Sequence, residues 1–346
     1  MSENRRHRRA TVHDVARAAG VSLATVDRVL NGRPGVRPET AAKVEAAIRA
    51  LDFRRDLSAS LLARARDLRL VFLIPDGRNE FMHSLRAAID RRARSARAER
   101  LLLETRDIPA LDGPALARAL DGLAPRHCDC AVIVATEDAA VHRAVEAAAR
   151  RGVAVMTLVS DLPGSARKLF IGIDNVAAGR TAASLTGRFC PAGRIGLIAG
   201  SLGLRDHRER LEGFSAVMRA EFPRLELLGP VEGHDQNEAT ARLAAGLLAA
   251  HADLAGIYNL GAGNTGLLAA LEASGRAGQV RVIAHELSTP TRAGLRSGAI
   301  DVILDQDPEG EIGAAIAAAR ALALGEGGDY HPEPIEIGVF LRDNLR

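Results

Sequence analysis

Tryptophan is absent from this chain of 346 residues, tyrosine occurs twice, and aromatic residues amount to 3%. That scarcity weakens any ligand site that would rely on stacked rings. Cysteine is equally sparse. Cys128, Cys130 and Cys190 do not make a disulfide framework and suit a reducing compartment. Nowhere do eighteen apolar residues follow one another without a charge, so a membrane span is not expected. The opening MSENRRHRRA is charged and lacks the apolar run of a secretory signal, which makes the cytoplasm, with its nucleoid, the expected location.

Hydrophobic residues make up 47% of the chain and charged residues 26%, the balance of an ordinary globular protein with a sizeable core. The length exceeds one typical domain and suits a small domain joined to a larger, two-lobed one. A net charge of +3 hides an asymmetry: residues 1–69 hold 15 Lys/Arg against 8 Asp/Glu, or +7, and the rest hold 31 against 35, or −4. A basic first fifth on a mildly acidic body implies a polyanion partner at one end, unless it is merely a solvated tail.

The first 50 residues read as three short helices. Thr11 caps the first, with Asp14 three residues on as capping-box partner, and Val12, Val15, Ala16 and Ala19 recur at helical spacing. Gly20 stands where a tight turn between helices needs positive φ. Ser22 caps a second helix through Val26, Val29 and Leu30, residues 31–35 are a loop by composition, and Pro38 opens a third helix with Val44, Ile48 and Leu51 on one face. After residue 69 the rhythm changes. Apolar runs at Leu70–Ile74, Ala131–Ala135, Val153–Val159, Leu169–Ile173, Ile195–Ala199, Ala255–Asn259, Val280–Ala284 and Val302–Leu304 alternate with helical stretches. This predicts parallel sheets covered by helices on both faces, and enough of them for two lobes with a ligand cleft beyond the carboxyl ends of the strands.

Residues 11–40 closely resemble the LacI/GalR family of bacterial repressors. The resemblance rests on Asp14-Val15-Ala16, Ala19-Gly20-Val21-Ser22, Thr25-Val26, Arg28-Val29-Leu30-Asn31 and Pro38-Glu39-Thr40. It implies an α/β protein with a small all-α helix-turn-helix headpiece (1–52) and a hinge helix or linker (53–69). A two-lobed, doubly wound parallel-sheet body similar to the type I periplasmic sugar-binding proteins follows (70–346). The N-lobe would hold about 70–170 plus 306–325, the C-lobe about 171–300 plus 330–342. It further implies a homodimer, with no coiled-coil extension expected after Arg346, on a pseudo-palindromic double-stranded DNA operator, and a sugar, polyol or sugar-derivative effector between the lobes.

A helix-turn-helix lays its second helix in the major groove with the N-terminal residues facing base edges. Here those are Leu23, Ala24 and, one turn on, Arg28, whose guanidinium matches the O6/N7 edge of guanine. Thr11, Ser22, Thr25 and Asn31 are suited to phosphate contacts, although helix capping alone would also account for Thr11 and Ser22. Asp27 departs from the family's usual Ser; near phosphates a carboxylate must accept from a cytosine amine or pair with a basic neighbour. Ser58–Arg64 aligns with the family's hinge helix, so Leu62 aligns with the leucine that wedges into the minor groove, packing of the linker being the plainer alternative.

For the cleft, the resemblance puts Asn79 and Phe81 after the first strand, Asp161 after the Val153–Val159 run and Arg208 at the head of RERLEGF. It puts Asn259, His285 and Glu286 at strand ends and Gln306 near a lobe crossover. Asp174-Asn175 reads instead as a helix cap near the hinge. Two rival signals stand beside this. Gly261-Ala262-Gly263-Asn264-Thr265-Gly266 is a full G-x-G-x-x-G between a strand and a helix, with Glu286 twenty residues on, as in a nicotinamide-dependent oxidoreductase. His127-Cys128-Asp129-Cys130 suggests a metal, but no second ligand pair at zinc spacing accompanies it. A periplasmic solute-binding protein is the third alternative, sharing the body but not the headpiece. No nucleophile–base constellation stands out, and neither enzyme activity nor a cofactor is expected.

Overall fold

Apolar runs long enough to be buried on both faces become the inner strands of two sheets. The computed structural model describes residues 10–30, 34–51, 53, 67–324, 330 and 332–345. Asn31, Leu62 and the hinge segment therefore lie outside the described residues. The first sheet contains β1 (Leu68–Pro75), β2 (Leu101–Ile108), β3 (Cys130–Ile133), β4 (Ala154–Leu158) and β5 (Leu169–Ile171) in the order β2-β1-β3-β4-β5, all parallel. The second contains β6 (Gly193–Ala199), β7 (Leu225–Glu232), β8 (Leu254–Asn259), β9 (Arg281–His285), β10 (Val302–Asp305) and the short antiparallel β11 (Gly338–Phe340) in the order β11-β10-β9-β8-β6-β7. The expected α/β architecture is what the chain adopts.

Each sheet has a hydrophobic core on either face. In the first lobe Phe72 and Ile74 of β1 pack with Leu85 and Ile89 of the helix Glu80–Ala96 and Ile312 of the helix Pro308–Leu324, while Val71 and Leu73 face Leu116, Leu120 and Val141. In the second lobe Leu197 and Tyr258 face Phe214, and Ile198 and Ile257 face Leu248 and Leu267. The chain crosses between lobes after β5, returns after β10 so that Pro308–Leu324 covers the first sheet, and ends with β11 back in the second.

β2, β7 and β11 correspond to none of the apolar runs. All three are sheet edges. An edge strand keeps solvent on one side, so its side chains alternate or mix, as in Leu-Leu-Leu-Glu-Thr-Arg-Asp-Ile of β2, where only the terminal residues are buried.

At the N-terminus three helices, Val12–Ala19, Leu23–Leu30 and Pro38–Ala50, enclose Val15, Val26, Val44 and Ala47. Thr11 and Asp14 form the expected capping box, and Gly20 ends the first helix at φ 66°. Leu51, expected on the inner face of the third helix, is exposed, and Phe53 fills the core in its place. No helix among the described residues is long and apolar enough to cross a membrane.

Candidate functional site

The helix Leu23–Leu30 buries Val26 completely and turns Leu23, Ala24, Asp27 and Arg28 outward. Those positions share one helical face, and Leu23 is among the few large apolar side chains left exposed. Ser22 accepts from Thr25 N–H at 3.2 Å and meets the Thr25 hydroxyl at 2.9 Å, so both are engaged in capping. Thr11 is likewise bonded to Asp14.

The second polar surface lies between the lobes. A chamber of about 490 Å³ is lined by Pro75–Asn79, Ala110, Leu111 and Thr136 of the first lobe and by Leu204, His234–Gln236 and Glu238 of the second. It shares Asn79, Met82, Val134, Leu204 and Asp235 with a smaller inner cavity of about 30 Å³, enough for one or two waters. Three inner wall residues at loop and strand ends, Val159, Asp235 and Glu286, hold positive φ of 66°, 58° and 73°. Strained backbone of this kind costs about 1–3 kcal/mol per residue and concentrates at ligand clamps.

Arg210 is the inner cavity's cation. It sits on the helix Arg205–Glu221, which approaches the helix Asn175–Phe189 so closely that a Cβ on Gly179 would strike the Arg210 carbonyl. That approach lets Arg210 Nε donate to Asn175 Oδ1 at 2.9 Å, while Nη1 donates to the Leu260 carbonyl at 2.9 Å. Its side chain is 1% exposed, and Nη2 has no partner. Asp206 and His207, four and three residues earlier, line the same cavity.

Arg208 does not. Two residues from Arg210 is about 200° round a helix, so it points to the rim, where it pairs with Glu137 of the other lobe and donates to the Leu202 carbonyl. The arginine expected at 208 is thus supplied to the cavity by 210. Asp161 is also outside the cavity walls: it accepts from Thr157 Oγ1 and Leu162 N–H at 2.7 Å each and is paired with Arg167. Asn259 and His285 are fully buried behind the walls. Asn259 Nδ2 donates to the Ala262 carbonyl and Asn264 Oδ1, shaping the glycine loop. His285 Nε2 meets the Tyr258 hydroxyl at 2.8 Å, and burial, with Arg210 and His207 nearby, holds its imidazole well below the usual range and therefore neutral.

Asn79, Phe81, Glu286 and Gln306 do come together at the inner cavity. Asn79 caps the helix Glu80–Ala96 through Oδ1 and reaches across with Nδ2 to Asp235 Oδ2 at 3.2 Å. Gln306 Nε2 donates to Glu286 Oε1 at 2.6 Å, leaving Glu286 Oε2 and Gln306 Oε1 unpartnered. Burial pushes the Glu286 carboxyl up to about 8. Asp206, His207, Arg210 and Asp235 escaped the sequence reading, although the i, i+1, i+4 spacing of the first three within one helix was visible.

The glycine loop has a packing explanation. A Cβ on Gly266 would strike the Asn237 carbonyl and one on Gly263 the Thr240 side chain, so the helix Asn264–Ala273 can lie against Asn237–Ala250 only with glycine there. Asp235 Oδ1 accepts from Ala262 N–H at 2.9 Å. A carboxylate on the amide that a pyrophosphate would need opposes the dinucleotide reading. Cys128 and Cys130 enter cores on opposite faces of the first sheet, and burial pushes the Cys128 thiol up to about 11.

A helical headpiece with an exposed second helix, ahead of two doubly wound lobes around a polar cleft, defines a DNA-binding domain joined to a binding-protein body. Residues 70–327 match the model of the periplasmic binding protein domain and residues 11–56 that of bacterial regulatory proteins of the lacI family. The chain belongs to the periplasmic binding protein domain family and carries a lacI-family domain in front. Catabolite control protein A of Staphylococcus xylosus is 41% identical over 80 residues, 23% of this chain and 24% of that protein. The HTH-type transcriptional regulator pepR1 of Lactobacillus delbrueckii subsp. lactis is 40% identical over 80 residues, again 24% of its length. The match thus spans about a quarter of these curated relatives. An ABC transporter solute binding protein from Burkholderia graminis C4D1M in complex with D-arabinose superposes with a TM-score of 0.75 at 24% identity, covering 81% of this chain and 97% of that one. GanP, a glucose-galactose binding protein from Geobacillus stearothermophilus, gives 0.72 at 20% identity over 81% and 99%. At these identities the likeness establishes the fold of the body alone.

Proposed function

We propose that this chain is a cytoplasmic transcriptional regulator, a repressor in the first instance and not an enzyme. As a homodimer it binds a pseudo-palindromic operator, and a small sugar, polyol or sugar derivative in the interlobe cleft changes its DNA affinity. The observation that carries this reading is the pairing, in one chain, of an outward-facing second helix with a closed cleft of buried, unpartnered polar atoms. Buried polar groups without partners are costly and are completed by a ligand. In support, one solved relative of the body is in complex with D-arabinose and another is named for glucose and galactose binding.

Arg28 reads guanine, Leu23 and Ala24 contact base edges, and Ser22, Thr25 and Thr11 set register on phosphates. Asp27 shifts operator preference toward a base pair offering a cytosine amine. In the cleft Arg210, Glu286, Gln306 and Asn79 hold the effector. Closure over it moves the lobes and so the headpieces, a coupling free energy between two sites. Selection of genomic fragments by the full-length protein, followed by footprinting with and without thermally identified polyols, tests this. A symmetric footprint whose affinity responds to the polyol is the expected result. No sequence-selective footprint, or one indifferent to every ligand that stabilises the protein, overturns it.

A further inference from the structure

Acceptors outnumber donors at the inner cavity. Asp206 Oδ1, Glu286 Oε2 and Gln306 Oε1 are buried there without partners, against the single donor Arg210 Nη2. Gln306 is 1% exposed, Asp206 4% and Glu286 8%, so none of these oxygens is completed by bulk water. One turn into the helix Pro308–Leu324, Glu311 is wholly buried and leaves both carboxyl oxygens unpartnered, within electrostatic reach of Glu286.

Charge is as lopsided as hydrogen bonding. Asp206, Asp235 and Glu286 line the cavity beside one guanidinium, Arg210, whose two bonded partners are both neutral, and Glu311 is within electrostatic reach of Glu286 and Arg210. His207 adds an imidazole, and His285 is neutral. A neutral polyol would supply hydroxyl donors but no positive charge to balance Asp206 and Asp235 against the single Arg210 or to draw the proton from Glu286. An ammonium supplies three donors, no acceptor, and one positive charge. We propose that the effector is a polyol-sized ligand carrying a protonated amine, its ammonium held by Glu286, Gln306 and Asp206, with Arg210 Nη2 donating to a hydroxyl or ring oxygen. This rests on the reading of the cleft as a polyol site and narrows it to a charge class.

The groups facing Glu286 are Arg210 and Asp206 from the helix Arg205–Glu221, Asp305 and Gln306 at the end of β10, and Glu311. Burial above all, with Asp305 and Asp206, favours a proton on Glu286 in the empty cleft against Arg210 and the Gln306 bond, and an arriving ammonium favours the carboxylate. Binding therefore releases a proton to solvent.

Matched pairs test the charge class with the full-length protein: glycerol against 2-amino-1,3-propanediol, glucitol against glucamine, glucose against glucosamine. Thermal shift ranks them, and calorimetry in buffers of different ionisation enthalpy counts protons. The amine of the best pair should bind at least tenfold more tightly than its neutral partner and release close to one proton at pH 7. Glu286→Gln, which keeps the size and the Gln306 contact, should reduce that advantage below threefold. Asp206→Asn gives a second reading should the first variant fold poorly. If a neutral partner binds as well as its amine, without proton release, the charge inference is overturned while the polyol reading stands. If no member of any pair binds, both fall.

Discussion

The outward face of Leu23–Leu30 and the inner cavity are both polar, but their polar groups are in opposite states. On the headpiece, Ser22, Thr25 and Thr11 already have local partners, and the side chains of Asp27 and Arg28 are exposed. In the cleft, oxygens of Asp206, Glu286 and Gln306 and a nitrogen of Arg210 are buried without partners. A solvated surface loses little when its ligand is absent, and its affinity is set by screened charge. A buried, incomplete one destabilises the empty protein and binds through unscreened contacts. Salt should therefore govern the first and pH the second.

The comparison is broken most easily at Arg210. Arg210→Ala removes a buried guanidinium and should weaken effector binding by about 2–5 kcal/mol, the range for truncating one partner of a buried charged contact. Arg210→Lys keeps the charge but loses the fork, and should recover only part. Titration calorimetry against the best ligand checks both. Unchanged affinity in Arg210→Ala would show that the buried cation belongs to the fold and not to the effector.

At the other surface, Arg28→Ala should cost about 1–3 kcal/mol of operator discrimination while barely changing affinity for random DNA. Operator affinity should fall steeply with added salt, because phosphate contacts release counterions. Fluorescence anisotropy at several salt concentrations separates the two effects. Equal losses on operator and random DNA would make Arg28 a phosphate contact.

Acidity sharpens the contrast without any ligand. Glu286 is raised from an ordinary 4.5 to about 8, chiefly by burial, so the folded protein binds that proton more tightly than the unfolded chain. The resulting stability is complete below about pH 4.5 and is lost as pH rises through about 8. Across that window this carboxyl should contribute a decline of at most about 1.4 kcal/mol per pH unit. Glu286→Gln should flatten it, as read by denaturant unfolding between pH 5 and pH 8. An equally steep decline in the variant would assign the effect to other groups.

These two surfaces were unequally legible in the residues. The headpiece face is contiguous: Leu23, Ala24, Asp27 and Arg28 follow from one helical period and one cap. Inner strands announced themselves because both their faces are buried, whereas β2 and β7 at the edges did not. The cleft is assembled from segments far apart in sequence, and position past a strand end located Asn79, Glu286 and Gln306 but could not orient side chains within a helix. Asp206, His207 and Arg210 required the rotation of Arg205–Glu221 against Asn175–Phe189, which Gly179 and Gly213 set by close packing. Asp161 shows the converse error: a polar residue past a strand whose bonding capacity is spent within its own lobe on Arg167 and Thr157.

Arg208 offers the smallest effect and the finest test. It joins the lobes through Glu137, with side-chain exposures of 38% and 36%, alongside Arg78–Glu238 at 2.8 Å and the Asn79–Asp235 bond. Ion pairs this open contribute about 0–1 kcal/mol, because water and salt screen them. Arg208→Ala should then change effector affinity by less than about fivefold, through the closed state and not through contact, since closure and binding are coupled. Its effect should shrink further at high salt, whereas that of Arg210→Ala should not. Both variants measured at two salt concentrations decide the matter. A large, salt-independent loss in Arg208→Ala would return that residue to the binding site and leave Arg210 as the structural member of the pair.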